Sequence, residues 1–210
     1  MHVAIIGAGN VGSALSKAAV AAGHTVSVSA TSPGKAAAVA AETGARPAAN
    51  NVDAVTGADL VVLAVPGSAV TSVADELAPA VSGKVVIDAT NPLNATFTDL
   101  DIEETAAAQT LQRHLLPNTP VVKAFNTVFA GRLGNPVEQG IPLHLFYAGD
   151  DADAKKNVAE FASSLGFEPI DAGGLRMARA LEEMAFLNIS LNATQGWAWQ
   201  SGWALLGPTG

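Results

Sequence analysis

No cysteine occurs anywhere in the 210 residues. That excludes disulfides, thiolate metal sites, iron–sulfur clusters and a cysteine nucleophile, and it is compatible with a reducing cytosol. Basic residues are scarce: 11 Lys and Arg face 19 Asp and Glu, for a formal charge of −8. A nucleic acid or an anionic membrane is therefore not expected as the main partner. No apolar run approaches the ~20 residues of a bilayer-spanning helix. The chain enters a strand directly after Met1, so no signal peptide is expected and a cytoplasmic location is. The histidines His2, His24, His114 and His144 are scattered without ligand spacing, so no metal site is expected. His144, within an apolar strand, reads as a satisfied core residue. The sole tyrosine, Tyr147, is followed four residues later by Asp151, not by the lysine that a Tyr-x-x-x-Lys pair requires. Neither a Gly-x-Ser-x-Gly elbow nor a phosphate-loop lysine motif is present.

What is present is hydrophobic content of 49% with only 14% charged residues, enough to bury a full core. Strand and helix signals alternate. Strands are expected at His24–Ser29, Asp59–Val65, Lys84–Ala89, Val121–Phe125, Leu143–Ala148 and Phe167–Asp171, after an opening strand at Val3–Ile6. Helices are expected at Val11–Ala22, Pro33–Thr43, Ser68–Val81, Ile102–Leu116 and Asp151–Leu165, with a brief one capped by Asn50 and a long C-terminal helix or helix pair. Glu103 and Glu104 would suit the dipole at the start of the fourth of these. Residues 130–140, with three glycines and Pro136, read as a mobile loop. The pattern specifies an α/β protein with a Rossmann-type doubly wound, mainly parallel sheet and a small C-terminal helical extension. Residues 1–135 would form the dinucleotide-binding domain and 136–210 an extension packed on the same sheet.

The opening strand runs into Gly7-Ala8-Gly9-Asn10-Val11-Gly12, the dinucleotide fingerprint in its strand–turn–helix context. Gly7 permits the tight turn, Gly9 lets a pyrophosphate approach the backbone, and Gly12 lets the helix pack closely. The diphosphate would meet the free N–H groups and positive dipole end of that helix. An NAD-binding fold places an acid about 20 residues further on, against the ribose 2′-hydroxyl. Here the second strand ends in Ser29-Ala30-Thr31-Ser32-Pro33-Gly34-Lys35, with no carboxylate. Thr31, Ser32 and Lys35 suit a 2′-phosphate instead, so NADP(H) is favoured over NAD(H). Alternatively, Thr31 and Ser32 only cap a helix and Lys35 is solvated. The arginine clamp usual for phosphate is missing.

With these motifs, the chain resembles the NADP oxidoreductase family typified by NADPH-dependent reductases of the deazaflavin coenzyme F420. It is also similar to the nucleotide-binding domain of the STEAP ferric reductases. The resemblance rests on Gly7–Gly12, Gly23-His24-Thr25-Val26, Val65-Pro66 and Asp88-Ala89-Thr90-Asn91-Pro92-Leu93. Val122-Lys123-Ala124-Phe125-Asn126-Thr127, Ala148-Gly149-Asp150-Asp151 and Asp171-Ala172-Gly173 complete it. It implies a compact Rossmann domain, commonly dimeric, with NADPH along the carboxyl edge of the sheet and a second ring system beside the nicotinamide. Members usually carry Ser-Arg or Arg-Arg where this chain has Thr31-Ser32.

Ala64, Val65 and Pro66 end one core strand and Ala89, Asn91 and Pro92 follow the next, which places them beside the nicotinamide; ordinary strand termination by proline is the alternative. Asn126 offers a donor and an acceptor to a carboxamide or flavin-like edge, and Thr127 follows it. Arg176 and Arg179 stand one helical turn apart and either bind an anionic tail or are solvated. Lys123 and Arg132 are the other cations available to such a tail. Trp197, Trp199 and Trp203 are read as core or dimer packing, with a hydrophobic wall for a flat substrate as the alternative. Much of the run from Ala185 to Leu206 is expected to line a homodimer interface. The reading is an NADPH-dependent oxidoreductase passing hydride to a second redox cofactor, F420 being the candidate. Its rivals are a reductase of a small carbonyl or imine and a non-catalytic NADP(H)-sensing module.

Overall fold

The computed structural model describes residues 1–101 and 106–207. Its elements run β1 (His2–Ile6), α1 (Asn10–Ala21), β2 (Thr25–Ser29), α2 (Pro33–Thr43), β3 (Arg46–Pro47), α3 (Asn51–Val55) and β4 (Leu60–Leu63). After a 3-10 turn at Gly67–Ala69 come α4 (Val70–Leu77), β5 (Val85–Asp88), α5 (Ala107–His114), β6 (Val121–Lys123) and α6 (Ala130–Leu133). The chain continues through β7 (Val137–Glu138), β8 (Ile141–Pro142), β9 (His144–Gly149), α7 (Ala152–Ser164) and β10 (Glu168–Asp171). A 3-10 turn at Leu175–Met177 then opens α8 (Ala178–Gln195). The expectation for Glu103 and Glu104 falls outside the described residues.

Eight strands form one sheet in the order β10-β9-β6-β5-β4-β1-β2-β3. From β3 to β6 this is the dinucleotide-binding order 3-2-1-4-5-6, all parallel. β9 then pairs with β6 antiparallel, and β10 follows β9 in parallel, so the last two strands run backwards. Alternation along each strand supplies two cores. Val3, Ile5, Leu60 and Val62 face α1 and α7, and Ala4, Ile6, Val61 and Leu63 face α3, α4 and α5. The Asn50 side chain accepts from the Asp53 N–H, as a cap should, and Asp151 does the same for Ala154.

Two expectations need correction. Residues 130–140 are not a loop throughout: Ala130–Leu133 makes a helical turn and Val137–Glu138 pairs with Ile141–Pro142. The buried Arg132 organises that segment, donating to the Val137 carbonyl and the Glu138 carboxylate at 3.0 Å each. Trp197 and Trp199 are not core residues, whereas Trp203 is partly buried with its indole N–H out of solvent. Gly196, in the left-handed conformation, ends α8, and the chain turns back with Trp197 and Trp199 each nearly half exposed.

His144 does sit in the interior, accepting from the Leu205 N–H at 2.9 Å. His24 packs edge-on against Phe161 and shares a hydrogen bond with Ser164. Burial, aided by the N-terminal charge, pulls its pKa below the ordinary imidazole value. The unfolded chain therefore takes up the proton more readily, so stability due to neutral His24 is lost as pH falls through the folded pKa. Melting His24→Gln alongside the parent between about pH 7 and 5 is expected to show a flatter acid dependence in the variant.

Candidate cofactor and substrate site

β1, β2, β4, β5 and β6 end at one edge of the sheet, and the order reverses between β1 and β4, opening a crevice there. Three recesses of about 380, 360 and 170 Å³ lie along it. The first two share the walls Ala64, Val65 and Pro66, and the last two share Val11, Ala89 and Asn91, so they make one trough.

Gly7, Ala8, Gly9, Thr31, Lys35 and Asn51 line the first recess. The three fingerprint glycines have separate reasons to be there. Gly7 holds φ at 118°, and a Cβ on it would collide with the Ala64 carbonyl. A Cβ on Gly12 would collide with the Gly7 carbonyl, which is how closely α1 approaches the turn. At Gly9 an added Cβ meets no protein atom within 4 Å. Packing does not require that glycine; an anion lying on the turn would. No side chain caps α1, and Asn10 and Val11 stand in its first turn, so N–H groups there are available to a diphosphate. The residues fit the group the fingerprint implies.

Ser32 is the backbone cap of α2, and its side chain makes no capping hydrogen bond. Thr31 and Lys35 are exposed at the rim of the recess, with no carboxylate among the lining residues. Asn51, which sequence reasoning missed, reaches the recess from α3 and is held by Ser29 and by Glu76 at 2.8 Å each. Gly67 was also missed: a Cβ there would come within 2.8 Å of the Asn91 carbonyl oxygen, so it lets the loops after β4 and β5 touch. Pro92 is buried against Gly67 and lines an adjoining recess that shares Gly67, Ser68 and Leu93 with the middle one.

Phe97, from the loop after β5, lines the middle recess and is 67% exposed. Asn126 and Thr127 line the third, with Phe129, Ala185 and Asn188. They follow Phe125, a buried residue in the left-handed region (φ 66°), a strain of about 1–3 kcal/mol for a bulky side chain. Edge and tilted contacts with Phe161 and Phe167 hold it there. The Asn126 Nδ2 donates to Asn91 Oδ1 and to the Leu181 carbonyl, both at 3.0 Å. Reversing the amide would face its oxygen toward two acceptors, so the orientation is fixed. Asn126 Oδ1 and Thr127 Oγ1 are buried without a partner. Asn126 therefore has an acceptor alone left over, not the donor and acceptor its composition offers. No ionisable side chain lines the middle or third recess among the described residues.

The nominated cations are not at the trough. Lys123 is fully buried, bonded to Asp88, Glu182 and the Thr90 carbonyl. Arg132 is spent on Val137 and Glu138. Arg176 and Arg179 line none of the three recesses. Arg176 follows Leu175, whose N–H donates to Asp150 just after β9, and Arg179 pairs with Glu183.

Comparison with known proteins agrees with this architecture. The sequence profile described as NADP oxidoreductase, coenzyme F420-dependent, matches residues 2–92. The F420-dependent NADP reductase of Methanothermobacter marburgensis is 32% identical over 151 residues, covering 69% of this chain and 67% of that one. Metalloreductase STEAP3 of Rattus norvegicus is 30% identical over 187 residues, 86% of this chain and 35% of that protein. A crystal structure from Arthrobacter sp. FB24, described as a candidate F420-dependent NADP-reductase, superposes with a TM-score of 0.86 at 27% identity, covering 97% and 99% of the two chains. The chain spans about two thirds of the length of the curated F420-dependent NADP reductases it matches. The profile match falls on the half that carries the glycine turn and the first recess, and the solved relative shares the whole sheet; this chain belongs to the family of coenzyme F420-dependent NADP oxidoreductases.

Proposed function

We propose that this protein is an NADPH-dependent oxidoreductase that passes hydride between NADP(H) and the planar deazaflavin coenzyme F420. The observation that carries this reading is the trough: a glycine cradle at one end, a buried unpaired acceptor at the other, and no ionisable side chain in its last two recesses among the described residues. When bound, NADPH supplies the hydride, and the deazaflavin accepts it into a conjugated ring with one proton taken from solvent. The side chains of this protein do the rest. The turn Gly7–Gly12 would hold the diphosphate, and Val65 and Pro66 would wall the nicotinamide end. Asn126, with its buried Oδ1 unpaired, would stand beside the ring system, and Phe129 and Ala185 would exclude water. Reduction of a simple ketone wants a positioned acid beside the forming alkoxide, and none lines those recesses.

Family relatives named as F420-dependent NADP reductases support both cofactors. Thr31 and Lys35 are the 2′-phosphate contacts in this reading. Thr31→Asp is expected to weaken NADPH and favour NADH, by about 1.5–3 kcal/mol or roughly tenfold and more, in a fluorescence titration of each nucleotide. Equal affinity of the parent for the two would contradict the assignment. Exposed Leu187, Leu191, Trp197 and Trp199, on α8 and just beyond it, support a homodimer, which sedimentation at micromolar concentration checks. No helix among the described residues is long and apolar enough to cross a membrane. Absence of cysteine is compatible with a cytoplasmic setting. Anaerobic mixing of enzyme, NADPH and oxidised F420 tests the function: the deazaflavin absorbance is expected to bleach over many turnovers. Its persistence while an imine or ketone is consumed would establish the rival reductase, and binding without any turnover the sensing module.

A further inference from the structure

We propose that Lys123 is a positioning residue: through a closed ring of buried hydrogen bonds it sets the Asn91–Asn126 pair that meets the hydride acceptor. The role rests on the functional reading above, but the ring is on the page without it. Lys123 Nζ donates to the Thr90 carbonyl at 2.7 Å and to Asp88 Oδ2 and Glu182 Oε1 at 3.0 Å each. Asp88 Oδ1 accepts from the Thr90 N–H and hydroxyl at 2.9 and 2.7 Å. The next residue, Asn91, donates to the Asn126 carbonyl at 2.8 Å and accepts from Asn126 Nδ2 at 3.0 Å. Asn126 Nδ2 also donates to the Leu181 carbonyl, and Leu181 precedes Glu182, which returns to Lys123. Three elements are thus locked in register: the loop after β5, the loop after β6, and α8.

Lys123, Asp88 and Glu182 have no exposed side-chain surface. One cation faces two carboxylates. The excess negative charge is met by the Ala107 N–H at the start of α5, which donates to Glu182 Oε2 at 3.3 Å. Stability alone does not account for such a cluster, since well-packed apolar residues serve a core as well or better. Placement does account for it. The ring fixes which atom of Asn126 is left without a partner, in a residue that lines the recess between the β5 and β6 loops and α8.

Glu182→Gln is the mild test, because the remaining carbonyl oxygen still accepts from Lys123 while the amide faces the Ala107 N–H without accepting from it. Hydrogen exchange with NADPH bound is expected to rise at least tenfold in residues 124–129 and 181–186 and to stay unchanged in residues 3–15. NADPH affinity should remain within twofold. Single-turnover hydride transfer at saturating F420 should fall at least tenfold, with KM for F420 moving less than threefold. A uniform rise in exchange, or no rise, overturns the proposal. Failure of the parent to reduce F420 would overturn the functional reading only, and the exchange pattern would still decide for or against the positioning ring.

Discussion

Gly9→Ala is expected to melt at the parent temperature and to bind NADPH about 10- to 150-fold more weakly. The added methyl meets no protein atom, so the folded state has nothing to lose. It occupies the surface on which the diphosphate must lie, lengthening hydrogen bonds to a charged group that are worth about 1.5–3 kcal/mol. Gly12→Ala is the contrast. Its methyl strikes the Gly7 carbonyl, so α1 must shift and both melting temperature and affinity should drop. Calorimetry and nucleotide titration on the two variants separate the glycine that serves the ligand from the one that serves the fold. A Gly9→Ala protein with unimpaired NADPH binding would remove the diphosphate from this turn.

Lys123→Met should be the most damaging single substitution in the molecule. It leaves Asp88 and Glu182 as buried carboxylates without their cation, a loss of about 3–5 kcal/mol. Against a typical domain stability of about 5–15 kcal/mol, that is a large fraction of the whole. Removing one carboxylate as well, in Lys123→Met/Glu182→Met, should recover at least half of the loss, because Asp88 keeps its two donors from Thr90. Urea unfolding of the single and double variants measures both figures. A single variant as stable as the parent would mean that the ring carries little energy.

Much of this was legible in the sequence wherever the physics is local. The glycine turn is written in six consecutive residues, and continuous apolar runs such as Leu60–Leu63 announce parallel strands covered on both faces. Asn50 could be read as a cap for the same reason, whereas Asp151, read as the first helical residue, is the cap of α7. The reversal of β9 was not legible, because alternation along His144–Gly149 is the same in either direction. Arg176 and Arg179 were nominated from their one-turn spacing, which says nothing of the recesses they do not line. Residues 130–140 were read from their glycines and Pro136, whereas the segment is organised by Arg132 bonding to residues five and six positions on. Lys123 was noticed as a charge near the site, but its partners stand 35 and 59 residues away and nothing in its neighbourhood announces them. Asn126 was identified, yet which of its atoms is free depends on Asn91 and Leu181.

The central claim is that one trough holds the nicotinamide and the acceptor together, so that hydride passes directly between them. NADPH deuterated at the transferable position of nicotinamide carbon 4 tests it, in a single anaerobic turnover with oxidised F420 in ordinary water. Mass spectrometry of the products is expected to find the deuterium on the reduced deazaflavin, at close to one atom per molecule for one of the two NADPH stereoisomers. Reduced deazaflavin without deuterium from either stereoisomer, or label recovered in the solvent, would contradict the account.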